Sequence, residues 1–481
     1  MNRILPLNNI NTAYRSTYII VGSYINGKCT FKDCASGANR QIHFQSQQRY
    51  IQLNKRTFST GFPSSNVHQY YSTETSNVNV LMKHLQSRIK MGGPITVAEY
   101  MKEVLTNSLS SYYMHRDVFG AAGDFITSPE ISQIFGEMLG VWIVNEWMNH
   151  YSDRHIQIVE LGPGRGTLAD DMLRVFSQFP AIKDKISVEL VEVSPMLSRM
   201  QTSKLTGKDI SEIVEDLNTS AESKTAGISG PYRQLKSKYG PVVSWYRNLA
   251  DVPHGLSCYV AHEFLDVLPI HKFHKTEHGW REVLVDIDNL NSSLRFVLAT
   301  GQTPASVAYL KDVSTDEKKN VEICPSAGLV VQEICQRIKQ NGGFSLLADY
   351  GHSGEKGGTF RAFKNHALHD PLVEPGTADL TADVDFSYLK KMMSDDVTVF
   401  GPITQAKFLS NMGIGLRLQT LLQKASQTEW SSLVSGYNML MSPEQMGERF
   451  KFMSIMPKLT GDYTPAGFVD LDLGQMSNKT E

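Results

Sequence analysis

The stretch IVELGPGRGTL, residues 158–168, restricts the fold of this chain more than any other. An apolar run ends on an acid, Glu160. Glycines follow at alternate positions, Gly162, Gly164 and Gly166, and a helical pattern then begins. Glycine reaches positive φ without steric cost and lets another group approach the backbone with no Cβ between them. A buried strand that stops on such a turn and runs into a helix opens a parallel α/β unit. The free N–H groups and positive dipole end of that helix suit a polar or anionic group. Two common phosphate turns differ from this one. The dinucleotide turn G-x-G-x-x-G wants glycine where this chain has Thr167, and the P-loop wants a Lys that the stretch lacks.

The flanks repeat the unit. HIQIVEL (155–161), ISVELVEV (186–193), GPVVSWY (240–246), LSCYVAHEFLDVLP (256–269) and FSLLADYGH (344–352) read as buried strands. LADDMLRVFSQF and a segment near 326–340 read as helices between them, so the alternation predicts a doubly wound α/β sheet. REVLVDIDN and SLRFVLAT alternate apolar and polar residues, which predicts a hairpin over 281–300. Upstream, Thr96 and Glu99 form a capping box for a helix over 96–110. Ser128 suits an N-cap and Pro129 a first turn, for a helix over 129–149 with Ile131, Ile134, Phe135, Leu139, Trp142 and Ile143 on helical spacing. The polar stretch 203–230 reads as a surface insertion, and 386–425 and 443–450 as helical. The expected division is a tail over 1–75, a helical region over 78–150, a core over 151–365 and a mainly helical, substrate-facing region over 366–481.

Charge is uneven. The chain carries −2 overall, yet residues 1–73 hold eight bases and one acid, so the rest sums to −9. That leaves no general basic patch for nucleic acid beyond the N-terminal segment. The basic, acid-poor segment has the composition of a mitochondrial transit peptide, and KRTFST, with Arg56, Phe58 and Ser59, predicts cleavage after Phe58. No apolar run approaches the ~18 residues of a membrane span. None of the five cysteines stands in a C-x-x-C pair, so the spacing indicates no disulfide framework and no zinc site.

The candidate chemistry sits at strand ends. The pattern Glu160-x-Gly162-x-Gly164-x-Gly166 resembles the first motif of class I S-adenosylmethionine-dependent methyltransferases, where the glycines pass under the amino-acid part of the cofactor. Glu192, at the tip of the second strand, can accept hydrogen bonds from both ribose hydroxyls of a nucleoside. His262, Glu263 and Asp266 follow the fourth strand, on the edge where doubly wound sheets bind ligands. Carboxylates there suit a substrate guanidinium, which offers two N–H groups in one plane. His262 reads equally well as a packed histidine. Asp349, Tyr350 and His352 follow another strand and read as site lining or as a turn. Asp379, Asp383 and Asp385 invite a calcium reading but lack the EF-hand pattern, so a partly exposed loop for the substrate protein is expected.

Five motifs in order, FGAAGDFITSPEISQIFGE, VELGPGRGTLADDMLR, AHEFLDVLPIHKF, LLADYGH and RAFKNH with GTADLTADVDF, together resemble the MidA family over roughly residues 80–460. The resemblance implies a class I methyltransferase core, Rossmann-like, with added helical and hairpin elements. It implies S-adenosylmethionine as donor and symmetric dimethylation of an arginine in a core subunit of the peripheral arm of mitochondrial complex I, in the matrix. It carries cofactor binding to Glu160, Gly162, Gly164, Gly166, Thr167 and Glu192. GDFITSPE adds Asp124, Thr127, Ser128 and Glu130 to the pocket. Glu263 and Asp266, with His262 beside them, become the catalytic set, although bacterial members carry Asn at the His262 position. No metal is implied. A non-catalytic assembly chaperone that binds cofactor for stability stays open, as does the oligomeric state.

Overall fold

The computed structural model describes residues 67–107, 111–115, 126–210, 230–311, 318–458 and 461–469. Residues 1–66 of the expected presequence, Asp124 and most of the 203–230 insertion lie outside these. A helix over Val67–Gly92 begins inside the stretch read as tail.

One sheet organises the molecule. Its main strands are β1 (Ile156–Leu161), β2 (Ile186–Val191), β3 (Arg233–Lys236), β4 (Val242–Tyr246), β5 (Ser257–His262), β6 (Gly343–His352), β7 (Val397–Thr404) and β8 (Phe450–Pro457). They lie in the order β7-β8-β6-β5-β1-β2-β4-β3. The five central strands, β4, β2, β1, β5 and β6, are parallel to one another. β3 runs antiparallel to β4, and β8 antiparallel to both β6 and β7. From β1 the chain steps outward to β2 and β4, then returns to the other side of β1 at β5. The strand order therefore reverses between β1 and β5, and the crevice beyond their carboxyl ends is where such sheets bind ligands.

Both faces of this sheet are covered, which is why its strands read as near-continuous apolar runs. Ile158 and Val260 pack with the Gln133–His150 and Thr167–Phe176 helices, while Val159 and Ala261 pack with Pro325–Asn341 on the other side. Successive side chains on one strand thus feed opposite cores. The Gln133–His150 helix is buried on nearly every side, as expected of a helix that is apolar all round. It does not run continuously from 129. A short turn over Ser128–Ile131 precedes it, and Ser132 breaks the path with φ −157° before its hydroxyl caps Ile134 N–H at 3.3 Å. Thr127, not Ser128, takes the N-cap position of that turn.

The hairpin expected over 281–300 is present as Gly279–Ile287 paired with Leu294–Leu298, inside a second, five-stranded sheet. The Val97–Thr106 helix packs on that sheet, opened by the Thr96–Glu99 capping box. The stretch 386–425, expected to be helical, also contains β7, and 443–449, likewise expected to be helical, is a turn that leads into β8 of the main sheet. β7 hides its period because a register shift between Phe400 and Ile403 interrupts its alternation. The three described cysteines, Cys258, Cys324 and Cys335, are free thiols.

Candidate active site

The carboxyl ends of β1, β2, β4 and β5 open on one cavity of about 1090 Å³. Gly162, Gly164 and Gly166 all take positive φ, at 64°, 52° and 77°, so any other residue there is strained. The turn presents Glu160, Gly162, Gly164 and Thr167 to the cavity. Gly166 stands behind the wall, where a Cβ would meet Gln201 Cγ at 3.2 Å. Thr167 opens the next helix, and its hydroxyl accepts from Lys204 Nζ at 2.6 Å. Glu160 is buried, and its Oε2 has no partner among the described residues. Glu192 follows β2. Its two carboxylate oxygens accept from Ser194 N–H at 2.7 Å and Gln201 Nε2 at 2.9 Å.

β5 ends on His262, and Glu263 turns the chain with φ 48°, a left-handed conformation rare outside glycine. Its N–H donates to Ala348 O at 3.0 Å, which ties the turn to β6. Its Oε1 accepts from Ser128 N–H at 3.3 Å and lies 3.3 Å from His262 Nε2. Ser128 therefore supports Glu263 from behind the wall. Glu130, two residues on, lines the cavity and pairs with Arg165 at 3.5 Å. Asp266 is buried. Its Oδ2 accepts from the Tyr350 hydroxyl and from Thr381 Oγ1, the latter at 2.9 Å, and its Oδ1 has no partner among the described residues. Asp349, within β6, does not line the cavity. It accepts from Phe264 and Leu265 N–H at 3.2 and 3.0 Å and so fixes the loop that carries the acids.

Burial dominates the electrostatics. It pushes the Glu160 carboxyl up to about 8, with Glu192 adding repulsion, and Glu192 up to about 7 against the hydrogen bonds that favour its charge. Glu263 and Asp349 are pushed well above the carboxylate range by burial and by Asp266, and Asp266 is also raised by burial. His262, with its ring 4.9 Å from that of Phe135, is driven down to about 3 by burial and stays neutral. The cavity thus brings together Glu160, Glu192, Glu263 and Asp266, none of which forms an ion pair with a Lys or Arg among the described residues, whereas Glu130 pairs with Arg165.

A pH effect on the ligand-free protein follows. Glu160 and Glu192 sit near 8 and 7 when folded, against 4.5 when unperturbed, so between these values the folded state binds more protons than the unfolded state. Their contribution is full below about 4.5 and is lost as pH rises through 7 to 8. The ligand-free Tm is expected to fall by on the order of 5 °C between pH 5.5 and 8.5. Glu160→Gln should flatten the upper part of that curve in differential scanning fluorimetry. An unchanged slope in the variant contradicts the assignment.

Other expectations shift position. Asp379 and Thr381 are buried in a short strand, not exposed on a loop, and Asp379 accepts from the Tyr113 hydroxyl at 2.7 Å. Asp383 pairs with Arg361 at 2.8 Å and Asp385 caps the Phe386–Met392 helix. Among the described residues no His, Cys, Asp and Glu cluster could hold a metal ion. Tyr350 lines the cavity, while His352 Nδ1 accepts backbone N–H from Gly354 and Lys356 in the following turn. The loop Arg247–Ala250 after β4 also lines the cavity and was not foreseen, although its place at a strand end beside the switch point is the signal that marks it.

A family model described as "Putative S-adenosyl-L-methionine-dependent methyltransferase" matches residues 138–403. The chain belongs to this family. It is therefore an S-adenosylmethionine-dependent methyltransferase, and its matched span contains the whole parallel core and every strand-end acid described above. It is 52% identical over 384 residues to human "Protein arginine methyltransferase NDUFAF7, mitochondrial", spanning 79% of this chain and 84% of that one. The Drosophila melanogaster homolog of that name is 45% identical, over 78% of this chain and 85% of its own. A crystal structure from Burkholderia thailandensis, titled a likely methyl transferase bound to S-adenosyl-homocysteine, has a TM-score of 0.66 at 22% identity and covers 85% of this chain and 98% of that one. That likeness supports the class I methyltransferase fold. Among the described residues no helix is long and apolar enough to cross a membrane.

Proposed function

We propose that this methyltransferase modifies an arginine side chain of a protein, in the mitochondrial matrix, on a core subunit of the peripheral arm of respiratory complex I, with symmetric dimethylation as the outcome. The observation that carries the acceptor reading is the pair Glu263 and Asp266, which open on the same cavity as the glycine turn. A guanidinium is the side chain that such a pair recognises best, because it is always charged and presents its N–H groups as a planar fork. The arginine methyltransferase names of the 52% and 45% identical relatives support the same acceptor.

The donor side fits the cofactor. S-adenosylmethionine, when bound, supplies an electrophilic methyl group on a sulfonium. Glu160, with its unpartnered Oε2, and the bare backbone of Gly162 and Gly164 would receive its amino-acid end. Glu192 would receive the ribose hydroxyls, and Arg247–Ala250 would wall the base. Gly166, Thr167, Ser128 and Glu130 complete the frame around them. The remaining work of the protein is placement, since holding the nucleophile in line with its target removes much of the entropic barrier. Glu263, through the oxygen that Ser128 N–H does not hold, and Asp266 Oδ1 orient the guanidinium and can take the proton its nitrogen releases. His262, neutral and packed, stands 3.3 Å from Glu263 Oε1.

Incubating the purified protein with methyl-labelled cofactor and isolated complex I peripheral-arm subunits tests this. Label is expected in protein, on an arginine that tandem mass spectrometry reads as dimethylated. Label confined to small metabolites overturns the acceptor. Normal complex I in cells that carry only a Glu263→Gln copy, with no methylated arginine, favours a non-catalytic chaperone.

A further inference from the structure

We infer that Gln201 is a positioning residue that locks the glycine turn and Glu192 together, so that the two halves of the donor site form as one unit. The inference rests on the donor reading given above. Gln201 lies on the Pro195–Thr206 helix and is fully buried. Its Nε2 donates to Gly164 O at 2.7 Å and to Glu192 Oε2 at 2.9 Å. Its Oε1 accepts from Trp245 Nε1 on β4 at 2.9 Å. An indole N–H can only donate, so Trp245 fixes which end of the amide faces it. Both N–H groups are thereby committed, one to the floor of the turn and one to the acid. Gly166 closes the arrangement, since a Cβ there would lie 3.4 Å from Gln201 Cα. Three strands, β1, β2 and β4, thus meet through one amide.

The amide also acts on charge. A donated hydrogen bond favours the ionised carboxylate and opposes the burial that raises Glu192. The other titratable groups around Glu192 are Glu160 from β1, Tyr232, whose hydroxyl donates to Glu192 O at 3.2 Å, and Arg247 stacked over Tyr232. None of these donates to the Glu192 carboxylate, so Gln201 and the backbone N–H groups of Val193 and Ser194 carry that task.

Calorimetry with S-adenosylhomocysteine between pH 6 and 8.5 tests this on the full chain. Gln201→Leu keeps the shape and removes every polar contact. It is expected to weaken binding about tenfold or more at pH 7. The loss should shrink to within about threefold at pH 8.5, where Glu192 ionises unaided. Gln201→Glu sets a second acid against Glu192 and should weaken binding progressively as pH rises, the opposite slope. Trp245→Phe keeps Gln201 but frees its amide, and is expected to act in the same direction as Gln201→Leu and more weakly. It carries the test if Gln201→Leu fails to fold. In a Glu192→Gln background, Gln201→Leu should move no pH midpoint. A loss equal at every pH, or no loss, overturns the inference. Absence of binding by the unmutated protein instead overturns the donor reading itself.

Discussion

Glu263→Gln is expected to slow methyl transfer by about 100–1000-fold, the scale of removing one preorganised electrostatic group. It should change S-adenosylhomocysteine affinity by less than about threefold. The substitution is isosteric, so the left-handed turn at φ 48° and the N–H contact to Ala348 survive, and only the ability to ionise is lost. In the ligand-free protein burial, Asp266 and Glu130 all push this carboxyl well above its ordinary range. A guanidinium entering beside it reverses that balance, since an opposite charge within a few ångströms favours ionisation. Acceptor binding at pH 7 should therefore release a proton to buffer. Titrating an arginine peptide in two buffers of different ionisation heat measures this directly. The unmutated protein should show a buffer-dependent enthalpy that Glu263→Gln largely loses. Equal proton release in both would remove Glu263 from the acceptor site.

The contrast between what could and could not be read from the chain follows from distance. The glycine turn, β1 and the Thr96 capping box were legible because their causes lie within ten residues. The acids at the ends of β2 and β5 were legible because parallel sheets place ligands at one edge, whatever the details of packing. Gln201 was not, because a polar residue in PMLSRMQTSKLT reads as solvated, and only the return of β4 with Trp245 buries it. β7 and β8 were missed for a related reason. β8 pairs with β6 across about 100–110 residues and β7 pairs with β8 across about 50–60, and no local pattern records such partners. The Asp379 segment misled because Asp, Thr and Gly normally mark loops. Here Tyr113 and Asp266 supply partners that let it go inside.

Gly162→Val should weaken S-adenosylhomocysteine binding by roughly 30–150-fold, from about 2–3 kcal/mol of combined strain. Part of this is backbone, since a side chain at φ 64° costs ~1–2 kcal/mol. The rest is crowding, because a Cβ there would stand 2.8 Å from Phe264 Cδ2, and overpacking of this kind costs on the order of 1–3 kcal/mol. Phe264 adjoins Glu263, so relief by moving the ring displaces the acceptor acid as well. The variant should then lose methyl transfer even at cofactor concentrations that restore binding. A control separates strain from site. Gly207, at φ 75° past the end of the Pro195–Thr206 helix, has nothing within 4 Å of its Cβ position. Gly207→Ala should lower stability by about 1 kcal/mol and leave binding unchanged. If Gly162→Val binds as well as Gly207→Ala, the turn does not touch the donor. If it binds poorly yet turns over normally at saturation, the donor and acceptor halves are not joined through Phe264.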